Sequence, residues 1–105
     1  MSTRNPITIE VLETLDAIDR RGSFAKASEE LNKAPSAISY AVQKLEEQLD
    51  IALFQRQGRR SVLTPAGQLI LQEGRKILQA TAHLANTAKE VSTGWEPKIR
   101  IAVES

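Results

Sequence analysis

Between Ile9 and Arg21 the apolar residues Val11, Leu12, Leu15 and Ile18 fall three and four positions apart, the spacing that gathers side chains on one side of a helix. Thr8 stands where an N-cap belongs, Glu10 suits the positive end of the helix dipole, and Arg20 and Arg21 precede Gly22 at the stop. A scaffold helix is predicted. Ser23 offers the next N-cap, and Phe24, Ala27 and Leu31 line one side of a helix that ends near Asn32 and Lys33, with the ring of Phe24 expected at the junction of the first three helices. Pro35 sits in the first turn of a third helix, where its missing N–H has no partner to lose. Ile38, Ala41, Val42, Leu45 and Leu49 give that helix its inward face. Ser36, Tyr40, Gln43 and Glu47 then fall roughly opposite, with Ser39 and Lys44 on the flanks.

After Asp50 the period shortens. Ile51 to Phe54 reads as an apolar segment leading into a strand and Ser61-Val62-Leu63 as its return, with Gln57-Gly58 turning between them. Thr64 and Pro65 supply an N-cap and a first-turn proline for a fourth helix, predicted from about Pro65 to Val91, roughly 27 residues and about 40 Å long. Ile70, Ile77, Leu84 and Val91 repeat every seven positions, beside the small residues Gly74, Thr81 and Ala88. Such a seam packs along another helix. It could fold back on its own core, but nothing after it is large enough to receive it, so a second copy is the expected partner. Trp95-Glu96-Pro97 then looks like a hinge, and Ile99, Ile101 and Val103 alternate with Lys98, Arg100 and Ala102 as in a strand. One strand has no sheet to join, and the expectation is a chain that continues into another domain.

Composition narrows the chemistry. The 105 residues are 41% hydrophobic and contain no cysteine, so disulfides, thiolate catalysis and cysteine-held zinc are excluded. The N-terminus has no signal-peptide pattern and no apolar run is long enough to span a bilayer, which predicts a cytoplasmic protein without membrane partners. A net charge of +1 argues against a general polyanion binder. Locally the balance differs: Arg56, Arg59 and Arg60 lie together without an acid, whereas Glu29, Glu30, Glu46, Glu47 and Asp50 flank them. Those arginines could be a solvated turn, or they could touch phosphates at chosen points. Catalysis is a poor reading, since His83 is the only histidine and the paired glutamates are adjacent residues that do not face each other. Glu46 and Glu47 would repel phosphates, which leaves the N-terminal half of the third helix as the end expected nearest any phosphate-bearing partner.

The motifs Phe24-Ala25-Lys26-Ala27-Ser28 with Leu31, Ser36-Ala37-Ile38-Ser39, Leu45-Glu46, Leu53-Phe54-Gln55-Arg56 and Leu63-Thr64-Pro65-Ala66-Gly67 resemble, in residues and spacing, the N-terminal DNA-binding domain of LysR-type transcriptional regulators. The fold this implies is mainly α with a small β-hairpin: a winged helix-turn-helix domain over residues 1–64, a linker helix for dimerisation over 65–92, and over 93–105 a hinge and the first strand of an effector-binding domain. The resemblance implies a homodimer, tetrameric at full length, that binds imperfect palindromes in double-stranded DNA, with RNA polymerase as a further partner. It implies no cofactor in this stretch and a small-molecule effector in the domain beyond it. The expected DNA-binding set is Ser23, Lys26, Pro35, Ser36, Ser39, Tyr40, Gln43, Lys44, Arg56, Arg59 and Arg60; the expected dimerisation set is Ile70, Gly74, Ile77, Thr81, Leu84, Ala88 and Val91. Pro35 stands where many members carry glutamine and Tyr40 where many carry arginine, which implies a different base preference. The rival reading is a winged-helix module that binds protein through Tyr40; the acid-free start of the third helix and the wing arginines favour DNA.

Overall fold

The computed structural model describes residues 5–92, so the hinge and strand expected over 93–105 lie outside the described residues. Helix α1 (Ile9–Arg21) begins where the Thr8 hydroxyl oxygen accepts the Val11 N–H at 3.1 Å and stops at Gly22, whose φ of 82° places it in the left-handed region. Helix α2 (Phe24–Leu31) starts on Ser23, which accepts the Lys26 N–H at 3.0 Å. Helix α3 (Pro35–Leu49) begins with proline and has no side-chain cap. Asn32 ends α2 and Asp50 ends α3, both at φ 57°, a conformation that Asn and Asp tolerate better than other side chains.

The core forms where the inward faces meet. Leu12, Leu15 and Ile18 of α1, Ile38, Val42 and Leu45 of α3, and Leu53 and Leu71 are all buried, and each full burial of such a side chain stabilises by roughly 1.5–3 kcal/mol. Helix α1 is the hub: α2, α3, the wing and the long helix all pack on it. Phe24 packs against this core but does not fill it. Its ring is half-buried and meets Phe54 of the wing edge-on, with centroids 5.5 Å apart at 71°.

Strands β1 (Phe54–Gln57) and β2 (Arg60–Leu63) pair antiparallel, with Gln57 opposite Arg60 and Phe54 opposite Leu63. The turn is therefore Gly58-Arg59, one residue later than the Gln57-Gly58 turn expected. Gly58 has φ 64° and Arg59 does not have positive φ, the type II′ pattern whose twist suits a hairpin.

Helix α4 (Pro65–Ser92) has 28 residues, about 42 Å at 1.5 Å per residue. The Thr64 oxygen accepts the Gly67 N–H at 3.0 Å while its hydroxyl donates to the Ala52 carbonyl at 2.6 Å, so one side chain caps α4 and ties it to the loop before the wing. Gly67 lies so close under the Leu53 carbonyl that any side chain would collide with it. Two members of the expected dimer seam are turned inward instead. Gly74 is buried on α1, where a Cβ would stand 2.7 Å from Leu12, and Ile70 is half-buried against the same core. Their positions share the seam's seven-residue interval, but the first turns of α4 are already used to close the head. From Gln79 onward no described residue of α4 is buried.

Candidate nucleic-acid interface

The polar face expected on α3 is on the surface. Ser36, Ser39, Tyr40, Gln43 and Lys44 are exposed, as is Pro35 at the start of the helix. Tyr40 is 63% exposed, and the Lys44 ammonium lies over its ring, 6.0 Å from the centroid. This pairs a cation with an aromatic face one helical turn away and keeps both at the surface. Thr8, Ser23 and Thr64 cap the other described helices with hydroxyl oxygens; α3 alone starts without a side-chain cap, and like α2 and α4 it has no acid in its first turn. Partial positive charge at that end is thus left facing solvent, which favours an anion such as phosphate.

Beside α3 lies the wing, and a groove of about 550 Å³ runs between them, lined by Ser39, Gln43, Phe54, Gln55, Arg56, Arg59 and Ser61, with Ser23 and Ala25 of α2 at one end. Ser23 is half-buried with its oxygen engaged as a cap, and Lys26 is exposed on α2. Strand alternation separates the arginines. Arg56 and its cross-strand partner Ser61 share the Phe54 face, toward the groove, whereas Arg60 belongs to the opposite face with Val62. Arg60 does not extend from the wing tip as expected: its guanidinium lies over Gly22, with Nη2 3.2 Å from where a Cβ on that glycine would stand, at the C-terminal end of α1. A cation there faces the negative end of the α1 dipole. The Ser61 N–H also donates to the Gly22 carbonyl at 3.2 Å, so the return strand is fastened to the end of α1. Arg59, in the turn, is the arginine at the tip.

Glu46 has a different role from the phosphate-repelling one expected. It is half-buried, and its Oε2 accepts the backbone N–H groups of Leu53 at 2.7 Å and Phe54 at 3.3 Å, which anchors the start of β1 to α3. Glu47 remains exposed on the C-terminal half of the helix. Sequence reasoning also missed Gln55 and Ser61, which line the groove; the strand register relative to Arg56 is the signal that finds Ser61, whereas Gln55 alternates to the other face of β1 and has no such signal.

An ion network joins three helices of the head. Arg75 of α4 donates from Nε to Asp16 Oδ1 at 2.7 Å and from Nη2 to Asp19 Oδ2 at 3.0 Å. Asp16 also accepts from Arg20 Nε at 2.8 Å, and Arg20 and Arg21 both reach Glu30 of α2. Burial by itself would raise the Asp16 carboxyl, but the hydrogen bonds from Arg20 and Arg75 outweigh it and hold the group below the ordinary carboxylate range. Lys33 pairs with Glu10 where the turn after α2 meets the start of α1. Among the described residues no helix is long and apolar enough to cross a membrane.

The remaining exposed apolar positions are on α4. Leu84 is 67% exposed, and Ile77 and Val91 are exposed on the same stripe, as are the small Thr81 and Ala88 beside them. Leu69, absent from the expected seam and one position out of its register, is also exposed, nearer the head.

Comparison with known proteins places this architecture. Residues 9–68 match the family described as "Bacterial regulatory helix-turn-helix protein, lysR family". The chain belongs to the LysR family, whose members here are transcriptional regulators and not enzymes. It is 46% identical over its whole length to the probable HTH-type transcriptional regulator YhaJ of Escherichia coli strain K12, and spans 35% of that protein. The fold is similar to the DNA-binding domain of BenM in complex with benA site 1 DNA, with a TM-score of 0.77 and 30% identity, covering 84% of this chain and 99% of that one. It is also similar to the DNA-binding domain of CbnR in complex with DNA, with a TM-score of 0.73 and 26% identity, covering 82% and 99% respectively. The chain thus spans about a third of the length of the curated relatives it matches.

Proposed function

We propose that the chain binds double-stranded DNA as a two-fold dimer and regulates transcription from a palindromic site in the cytoplasm. The α3 face of Ser36, Ser39, Tyr40, Gln43 and Lys44 enters the major groove, where side chains read base edges. Arg56 and Arg59 reach phosphates or the adjacent minor groove, and Ser23 and Lys26 approach the backbone from α2. The single observation that carries this reading is the end of α3: an exposed polar helix start, free of acid and of any side-chain cap, beside an arginine-tipped wing. The DNA-binding domains of BenM and CbnR, both in complex with DNA, support it by likeness of fold.

Dimerisation follows from Ile77, Leu84 and Val91, which stay exposed in one copy and are covered when two long helices pair. A small-molecule effector, a tetramer and contact with RNA polymerase are part of the same proposal for the longer protein. The test is the salt dependence of binding to duplex DNA. Two heads that each neutralise about three phosphates give a plot of log affinity against log salt with a slope of about −5. A flat plot contradicts DNA binding and favours the protein-binding reading of Tyr40.

A further inference from the structure

Arg75 is where the long helix is last tied to the head by a polar contact among those described. Its two donors point at carboxylates on α1, Asp16 at 2.7 Å and Asp19 at 3.0 Å. Leu78, one turn on, is the last apolar residue of α4 packed against the core, and beyond it no described residue of the helix is buried. Asp16 is shared with Arg20, which holds Glu30 of α2. Charged contacts therefore run without a gap from α4 across α1 to the helix preceding the recognition helix. These pairs are partly exposed, and exposed ion pairs contribute little to stability, so stability alone is a weak reason for so many at one place.

The place is informative because of leverage. A tilt of about 10° at Arg75 would displace residue 92, about 25 Å further along at 1.5 Å per residue, by about 4 Å. That exceeds the rise of about 3.4 Å for one base pair. In a dimer held by the far part of α4, the same tilt moves each head relative to its partner's head. A fork from one guanidinium to carboxylates on successive turns of one face of α1 resists such a tilt in a way that a single apolar contact does not.

We infer that Arg75 is a positioning residue: through Asp16 and Asp19 it sets the angle at which the long helix leaves each head, and so the spacing of half-sites that the dimer accepts. The inference rests on the two-fold reading above. Arg75 touches no base; it acts through the placement of α3.

The test uses duplexes selected from a random-sequence library by the parent protein, then remade as single half-sites and as palindromes one and two base pairs longer and shorter. The parent is expected to prefer one spacing by about 10-fold or more, since a misplaced second head forfeits the gain from linked binding. Arg75→Met, which keeps the aliphatic stem and removes the donors, is expected to reduce that preference below about 3-fold with half-site affinity within about 2-fold of the parent. Arg75→Lys, which keeps the charge but cannot fork to both carboxylates, should fall between them. Retention of the parental spacing preference by Arg75→Met overturns the inference. Should Arg75→Met lose half-site binding by misfolding, Arg75→Lys decides, and a parental preference in that variant overturns it equally. A parent with no spacing preference sinks the two-fold reading and this inference with it, whereas a preference kept by both variants sinks this inference alone.

Discussion

Tyr40 shows what a single position contributes. It is too exposed for a core residue, yet large and held beside Lys44, so its removal should affect binding and not folding. Tyr40→Ala is expected to cost about 1–3 kcal/mol of specific affinity in a titration with duplex DNA, with little change in melting temperature. The wing arginines separate by role. Arg59→Ala should lower the salt slope by about 1.8, one phosphate contact in each of the two heads, whereas Arg60→Ala should leave the slope unchanged, because Arg60 lies over Gly22 at the end of α1. Equal slope losses from both would place Arg60 on DNA. Phe24 was expected in the core; half-buried against Phe54, its loss to alanine should cost about 2 kcal/mol in denaturant unfolding, below the 3–5 kcal/mol typical of fully buried aromatics.

At the scale of elements, the helices were legible because their signals are local. Thr8 and Gly22 bound α1, Ser23 opens α2 and Pro35 opens α3 at the positions expected, since caps and period act within a turn of the residues that carry them. The wing was legible to within one residue: Gln57-Gly58 and Gly58-Arg59 both offer glycine to a turn, and only the pairing of Gln57 with Arg60 selects the second. Long-range partners were not legible. Glu46 read as surface charge, and nothing in its neighbourhood announces that it accepts from Leu53 and Phe54 across the loop. Glu46→Ala would leave those N–H groups without their acceptor and should cost about 1–3 kcal/mol of stability. The tie between Asp16 and Arg75 spans 59 positions and is equally silent in sequence. Because Asp16 is held below its ordinary value, its contribution is fully present above the unfolded carboxylate pKa of about 4 and is lost as pH falls through the lower folded value. The difference in melting temperature between the parent and Asp16→Asn should therefore be constant above about pH 5 and shrink as pH falls below about 4; a difference that grows on acidification would contradict it.

For the whole molecule, the seven-residue repeat of α4 correctly indicated a long helix but could not tell which turns the head would use. Ile70 and Gly74 close the core, and the free stripe is Ile77, Leu84 and Val91. That stripe carries the central claim, since two heads on one rod must read a site with two-fold symmetry. Its most direct test is sedimentation combined with titration of a selected palindrome and its single half-site, for the parent and for Leu84→Asp. The parent is expected to sediment as a dimer at micromolar concentration and to bind the palindrome at least about 100-fold more tightly than the half-site. Leu84→Asp is expected to sediment as a monomer that binds palindrome and half-site alike. A parent that binds both duplexes equally, or a Leu84→Asp variant that remains a dimer with parental palindrome affinity, would contradict the account.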